Sequence, residues 1–129
     1  MATTHIYICT TCKLADEAGA PAHERSGARL HRALAALAEE RQAPVSIIPV
    51  ECLSVCKRAC TISFAAPGKW TYVYGDLPAE TGASVILDGA ALYAATTDGL
   101  IPWRQRPEAL KRGVISRVPP LAPAPEPRP

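Results

Sequence analysis

The chain has 129 residues, of which 48% are hydrophobic and 20% charged, and its formal net charge is +2 at pH 7. This length suits one globular domain that buries its own core, and the composition is too apolar for a largely disordered protein. The net charge is small and no basic run is interleaved with aromatic residues, which argues against a nucleic-acid-binding surface.

The N-terminal sequence MATTHIYICTTC has no basic n-region and reaches polar residues before an apolar stretch is long enough for a signal peptide. No window approaches the ~18 apolar residues of a membrane-spanning helix. We therefore expect a cytoplasmic protein without a membrane partner. Thiols stay reduced in that compartment, so metal binding or thiol chemistry is the favoured use of the five cysteines.

The first predicted elements are a strand, a helix and a second strand. Residues 5–9, HIYIC, form a β-branched and aromatic run that is typical of a buried strand. After a loop, Ser26 is the predicted N-cap of a helix with one apolar stripe, which Pro44 closes. Residues 45–50, VSIIPV, predict the second strand, and Pro49 favours either an edge position or a bend as the chain enters the cysteine loop.

The rest of the chain predicts a hairpin and two helices. Residues 61–65 and 70–74 flank the turn signal APGK and should pair with each other. Ser84 is the predicted N-cap of a second helix, which ends at Gly99, and residues 107–112 predict a short third helix.

The order of these elements predicts the fold. A strand, a crossover helix and a second strand must form a parallel, right-handed unit. The sequence therefore predicts an α/β fold like that of thioredoxin, with a mixed sheet of about four strands and helices packed on it. This domain takes residues 1–118. Residues 119–129, PPLAPAPEPRP, contain six prolines and predict a flexible tail.

The cysteines follow the two parallel strands. Cys9 and Cys12 lie at the end of the first, and Cys52, Cys56 and Cys60 come after the second, within VECLSVCKRAC. Neighbouring parallel strands lie about 4.8 Å apart and end at the same edge of a sheet, so the two loops should face each other. Four thiolates satisfy either a tetrahedral zinc ion or the two irons of a 2Fe-2S centre.

The segment VECLSVCKRAC, followed by TISF, closely resembles the ECLGxCxxAP segment of thioredoxin-like 2Fe-2S ferredoxins. That family includes the small flavoprotein-linked subunit of respiratory complex I. The resemblance implies a 2Fe-2S cluster held by Cys9, Cys12, Cys52 and Cys56. It also implies a one-electron carrier rather than an enzyme, with a redox partner protein of unknown identity and with homodimers, which occur among those ferredoxins.

The chain up to Val118, with its hairpin APGKWTYVYGDL, is also similar to a family of uncharacterised, predicted metal-binding proteins. Members of that family are sometimes found alongside cobalamin-synthesis genes. This second resemblance implies a metal or a cluster and does not imply a reaction.

Two features depart from the ferredoxin pattern. Only two residues separate Cys9 from Cys12, where the ferredoxins have a longer spacing, and Cys60 stands where they have a proline. Cys60 is therefore an alternative ligand in place of Cys9 or Cys12, a nearby thiol that can exchange with a ligand, or a small buried hydrophobic residue. If residues 52–60 were helical, their three sulfurs would share one face.

Two other functions use the same thiols. A structural zinc site, or a metallochaperone for zinc or cobalt, needs four ligands with similar spacing. The CTTC motif after a strand is also typical of thiol-disulfide exchange by Cys9 and Cys12. That activity needs a helix that begins beside the second cysteine, whereas Gly19 and Pro21 delay the helix here. No catalytic triad or glycine-rich phosphate loop is recognisable.

The aromatic residues of the hairpin and Trp103 are assigned to packing, and the basic residues to solvated surface. The alternative for the basic residues is attraction of an acidic redox partner. The residues concerned are Lys57, Arg58, Arg104, Arg106, Lys111 and Arg112.

Overall fold

The architecture is seen in a computed structural model that describes residues 3–11, 13, 17, 19–54 and 58–121. The predicted order of strand, helix, strand, hairpin and helix is confirmed, the short third helix is present, and one further strand follows. The elements are β1 (Thr4–Cys9), α1 (Ser26–Arg41), β2 (Val45–Val50), β3 (Ile62–Ala65), β4 (Thr71–Tyr74), α2 (Gly82–Ala95), α3 (Glu108–Arg112) and β5 (Val114–Val118). The 3₁₀ turns Ala22–Glu24 and Trp103–Gln105 precede α1 and α3.

The strands form one mixed sheet in the order β2-β1-β3-β4-β5. β1 and β2 are parallel, with Cys9 opposite Val50, and the other neighbouring pairs are antiparallel. The expected count of about four strands was one short, because β5 is brief and largely exposed and its local sequence carries no strong strand pattern. Pro49 lies on the edge strand β2, as predicted, where a missing N–H is tolerated.

One face of the sheet carries the core. Ile6 lies opposite Phe64, and Phe64 lies opposite Tyr72, so the three fully buried side chains share a face. α2 covers this face closely, since a side chain at Gly89 would lie 3.3 Å from the Phe64 ring. α1 packs against both α2 and β1. The largest fully buried side chains are Tyr72, Tyr74, Tyr93, Phe64, Ile6, Ile8, Leu30, Leu34, Ile62, Leu77, Ile86 and Ile101.

Neither long helix begins with the cap that its sequence predicts. Ser26 is the first residue of α1, and its hydroxyl donates to the Glu17 carboxylate instead of capping the helix. α2 begins at Gly82, so Ser84 lies inside its first turn. For α1 the cause is the contact with Glu17, a residue of another segment, which the local sequence around Ser26 does not reveal.

The predicted tail, residues 119–129, lies mostly beyond the described part of the chain, which ends at residue 121. The tail and the domain boundary before it therefore stay predictions. Among the helices of the described residues, none combines the length and the apolar character needed to span a membrane.

Candidate metal centre

The turns that follow β1 and β2 lie side by side at one edge of the sheet. The parallel register places Cys9 opposite Val50. Beyond the strands, the amide of Thr10 donates to the Val50 carbonyl oxygen at 2.9 Å, and the Thr11 hydroxyl donates to the carbonyl oxygen of Glu51. These bonds continue the pairing past the strand ends. The expectation that the two turns meet is thus confirmed for their described residues.

Cys9 supplies a fixed and shielded sulfur to this edge. It is the last residue of β1 and is only 2% exposed. Its backbone amide donates to the Thr61 carbonyl oxygen at 3.2 Å on the side of β3. Its thiol donates to the Glu51 carbonyl oxygen, with 3.5 Å between sulfur and oxygen, and lies 3.6 Å from the Thr11 hydroxyl oxygen. The Cys9 sulfur is therefore directed at the turn that follows β2.

Cys52, in contrast, lies exposed in that second turn. The amide of Ser54 donates to its sulfur, with 3.1 Å between nitrogen and sulfur. Ser54 has a φ of 63°, in the left-handed region that residues other than glycine seldom adopt. Amide donors to sulfur are one means by which proteins set the potential of iron-sulfur centres. The backbone conformation at Ser54 therefore already provides an amide donor to the Cys52 sulfur.

Two of the four predicted ligands, Cys12 and Cys56, lie outside the described residues. Within the described ranges, no three side chains of His, Cys, Asp or Glu come close enough together to hold a metal ion. The structure therefore brings together the turns that carry Cys9 and Cys52. The complete ligand set stays a prediction.

Cys60 lies in the hydrophobic core. It is 1% exposed, and its backbone exchanges hydrogen bonds of 3.3 and 3.2 Å with Leu77. The Ala59–Cys60 peptide bond is cis. Residues 52–54 and 58–60, on either side of the three undescribed positions, contain no α-helix. A helical face shared by Cys52 and Cys60 is therefore not formed, and one is exposed while the other is buried.

The end of the cysteine loop is tied to β4 through backbone contacts. The amide of Asp76 donates to the Arg58 carbonyl oxygen at 2.8 Å, and the two side chains form an ion pair at 2.6 Å. A Cβ atom at Gly75 would lie 2.8 Å from the Arg58 carbonyl oxygen, so a glycine is needed there. The Gly75 amide in turn donates to the Gly113 carbonyl oxygen at 2.8 Å. The loop is thereby anchored to the junction of α3 and β5.

The segment after Cys12 is anchored by a network that sequence reasoning missed. Glu17 accepts hydrogen bonds from the Ser26 hydroxyl and from the Arg29 guanidinium, the latter at 2.8 Å. Arg29 also pairs with Glu80, just before α2. The Glu17 side chain is 15% exposed, which shields its bonds in part from water. No local pattern reveals such a network, because its members come from three separate segments.

Comparison with known proteins confirms the fold. A model of the family described as "Protein of unknown function (DUF1636)" matches residues 6–120. A thioredoxin-like [2Fe-2S] ferredoxin from Aquifex aeolicus has a similar structure, with a TM-score of 0.59 and 15% identity. The alignment covers 93% of this chain and 96% of the ferredoxin. No curated protein matches the sequence. The association with cobalamin-synthesis genes stays an expectation.

Proposed function

This chain belongs to the DUF1636 family of proteins of unknown function, and we propose that it binds a 2Fe-2S cluster and carries single electrons. The proposed ligands are Cys9, Cys12, Cys52 and Cys56. One observation carries the proposal: the Cys9 sulfur lies 3.5 Å from the carbonyl oxygen of Glu51, the residue next to Cys52. Thiols from two distant segments are thereby directed to one edge of the sheet.

The described residues suit such a group. Cys9 offers a sulfur from an interior strand, and Cys52 offers one from an exposed turn with an amide donor already in place. The Cys9 hydrogen bond to Glu51 belongs to the protonated thiol, and this proton must leave when the sulfur becomes a metal ligand. When bound, the cluster supplies a one-electron couple whose potential depends on hydrogen bonds to sulfur and on exposure to solvent.

The fold gives further support. The similar protein from Aquifex aeolicus is described as a [2Fe-2S] ferredoxin, so the same architecture carries such a centre in another protein. The proposal therefore assigns electron transfer to this chain and substrate chemistry to a protein partner in the cytoplasm.

Thiol-disulfide exchange by Cys9 and Cys12 is less well supported. Exchange needs an accessible thiolate, and such thiolates commonly lie at the N-terminus of a helix. Cys9 is 2% exposed, and the first α-helix after it among the described residues begins at Ser26. Cys9 therefore meets neither condition.

The first test is chemical analysis of protein purified without oxygen. We expect iron and acid-labile sulfide in equal amounts, a red-brown colour, and an EPR signal after reduction with dithionite. Zinc without sulfide in a colourless protein would contradict the proposal and would favour the metallochaperone or structural zinc alternative.

The second test identifies the ligands by substitution. Cys9→Ser, Cys12→Ser, Cys52→Ser and Cys56→Ser should each lose the cluster, because each removes one of four thiolates. Cys60→Ala is the matched control and should keep its iron and sulfide, since Cys60 lies in the core. Circular dichroism shows whether each variant folds. Loss of the cluster in folded Cys60→Ala, together with retention in Cys9→Ser or Cys12→Ser, would show that the proposed set is wrong.

A further inference from the structure

Trp103 is the most exposed of the Trp, Tyr and Phe side chains in the described part of the chain, with 58% of its surface in contact with solvent. It lies in the 3₁₀ turn just before α3. An indole left in water forgoes the stabilisation that burial of its apolar surface would contribute. Tryptophan is also among the residues that most often dominate the energy of protein interfaces. Its position therefore suggests a surface that another molecule covers.

Two cations lie over the Trp103 ring. The Arg106 guanidinium carbon is 5.5 Å from the ring centroid and the Lys111 ammonium nitrogen is 5.7 Å away, both within the range of cation–π attraction. Arg106 is itself fixed, since it donates to the Ile101 carbonyl oxygen at 3.0 Å and to the Tyr72 hydroxyl at 3.1 Å. The indole is thus held in place before binding, which reduces the entropy lost on association.

The sequence around Trp103 is strongly basic. Residues 102–118 contain five Arg or Lys residues and one acidic residue, Glu108, whereas the whole chain carries only +2. Glu108 forms ion pairs with Lys111 and Arg112, and its single negative charge cannot offset both. The Arg112 side chain is 83% exposed. We call the surface formed by Trp103, Arg104, Arg106, Lys111 and Arg112 the Trp103 face.

The Trp103 face adjoins the loop that carries the proposed ligands. Gly113, directly after Arg112, accepts a hydrogen bond of 2.8 Å from the Gly75 amide. Gly75 in turn approaches Arg58 so closely that a Cβ atom would lie 2.8 Å from the Arg58 carbonyl oxygen. One layer of backbone therefore separates the end of α3 from the cysteine loop. A partner on this face would lie near the candidate metal centre, where electron transfer needs it.

We propose that the Trp103 face docks an acidic protein surface, namely that of the redox partner. Charge complementarity identifies the partner as acidic, because exposed cations steer and orient an anionic surface. The fixed indole supplies the contact that holds the two proteins together. This inference rests on the proposed electron-carrier function and adds the chemical character of the partner.

The test uses the full-length protein labelled with ¹⁵N, and an acidic flavodoxin serves as the probe. The chain has two tryptophans, so the indole N–H resonances report separately on Trp103 and Trp70, and a Trp103→Phe variant assigns them. At low ionic strength, flavodoxin should shift the Trp103 resonance and leave that of Trp70 in place. Added salt should reverse the shift. Basic cytochrome c should move neither resonance.

A pair of charge reversals tests the electrostatic part. Arg104→Glu should weaken flavodoxin binding by about tenfold, because an exposed cation at the interface becomes an anion. Arg32→Glu makes the same change of charge on an exposed position of α1, outside the Trp103 face, and should leave the affinity within a factor of about two, since distant exposed charges are screened. Both positions are exposed, so both variants should fold.

The outcomes separate this inference from the function on which it rests. No binding of flavodoxin, binding without a shift at Trp103, or equal losses in both charge variants would each overturn the docking face. Iron and sulfide are measured in the same samples. A protein that contains the cluster but does not respond at Trp103 contradicts the docking face alone. A protein that responds at Trp103 but contains no cluster contradicts the electron-carrier function and keeps the docking face.

Discussion

Tyr74 brings a phenol hydroxyl into the core, and this hydroxyl has no hydrogen-bond partner among the described residues. The side chain is fully buried. Its ring stacks on that of Tyr72, with 5.5 Å between centroids, and the Tyr72 hydroxyl is satisfied by Arg106 at 3.1 Å. An unsatisfied buried hydroxyl costs about 1–3 kcal/mol. The Tyr74 hydroxyl therefore lowers stability and the Tyr72 hydroxyl raises it, although both tyrosines belong to β4.

Substitution of these two tyrosines tests that difference. Tyr74→Phe should raise the free energy of unfolding by about 1 kcal/mol, because it removes an unpaired polar group. Tyr72→Phe should lower it by about 1 kcal/mol, because it leaves the Arg106 donor without its acceptor. Urea denaturation at neutral pH measures both. If Tyr74→Phe were as destabilising as Tyr72→Phe, the Tyr74 hydroxyl would have a partner in solution.

Tyr74→Phe should also change how the free energy of unfolding depends on pH. Burial raises the pKa of Tyr74, the neighbouring Tyr72 acts in the same direction and Arg106 opposes it. Burial also raises the pKa of Tyr93, to about 12, from an ordinary value of 10.0. The folded protein holds these protons more tightly than the unfolded chain. Their stabilising effect is therefore complete below pH 10 and is lost as the pH rises towards about 12. Urea denaturation across this window should show a smaller loss for Tyr74→Phe.

At the scale of elements, the parts that the sequence predicts are those with a local pattern. The alternation in β1 and the apolar stripe of α1 each follow from the period of one element. β5 carries no such pattern, because Ser116, Arg117 and Val118 are exposed and its conformation depends on pairing with β4, where Arg117 lies opposite Tyr72. The start of α1 was misjudged for a similar reason, since the Ser26 hydroxyl is bonded to Glu17.

The candidate site likewise has a part that the sequence predicts and a part that it does not. The position of the cysteines after two parallel strands was enough to predict that their turns meet, because parallel strands end at a common edge. The anchors of those turns were not predictable. Gly75 looks in sequence like any glycine after a strand, and only the fold shows that the Arg58 backbone approaches it. The exposure of Trp103, which its sequence had assigned to packing, was missed likewise, since it depends on how α3 packs.

Gly75→Ala should therefore destabilise the protein, by about 1–3 kcal/mol. A Cβ atom at this position would lie 2.6 Å from Ile115 Cδ1 and 2.8 Å from the Arg58 carbonyl oxygen, and the backbone atom cannot rotate away. Gly19→Ala is the matched control, because no atom of the described residues lies within 4 Å of a Cβ there. Its effect should stay within about 0.5 kcal/mol of zero. Urea denaturation compares the two, and equal effects would show that the close approach at Gly75 relaxes freely.

At the scale of the whole molecule, stability should fall from the middle of the sheet to its edges. β1 lies between β2 and β3 and is contacted by both α1 and α2. Its residues Ile6 and Ile8 are completely buried. β5 is an edge strand whose last three residues are exposed. The interior strand β1 is thus held by more of the structure than the edge strand β5.

Amide hydrogen exchange measures this gradient. The amides of β1 should exchange the most slowly, near the rate set by global unfolding, and those of β5 should exchange faster through local opening. The measurement follows the two strands by NMR under native conditions. Equal protection of β1 and β5 would show instead that the sheet opens only as a single unit.

The hydrogen bond between Cys9 and Glu51 joins residues that are 42 positions apart in the chain. Neither turn can present its sulfurs to the other until α1 has crossed the sheet and β2 has paired with β1. A centre that uses sulfurs from both turns therefore couples its binding to the folding of the N-terminal half of the domain. A fragment that ends before Cys52 would lack two of the four proposed ligands and should not retain the cluster.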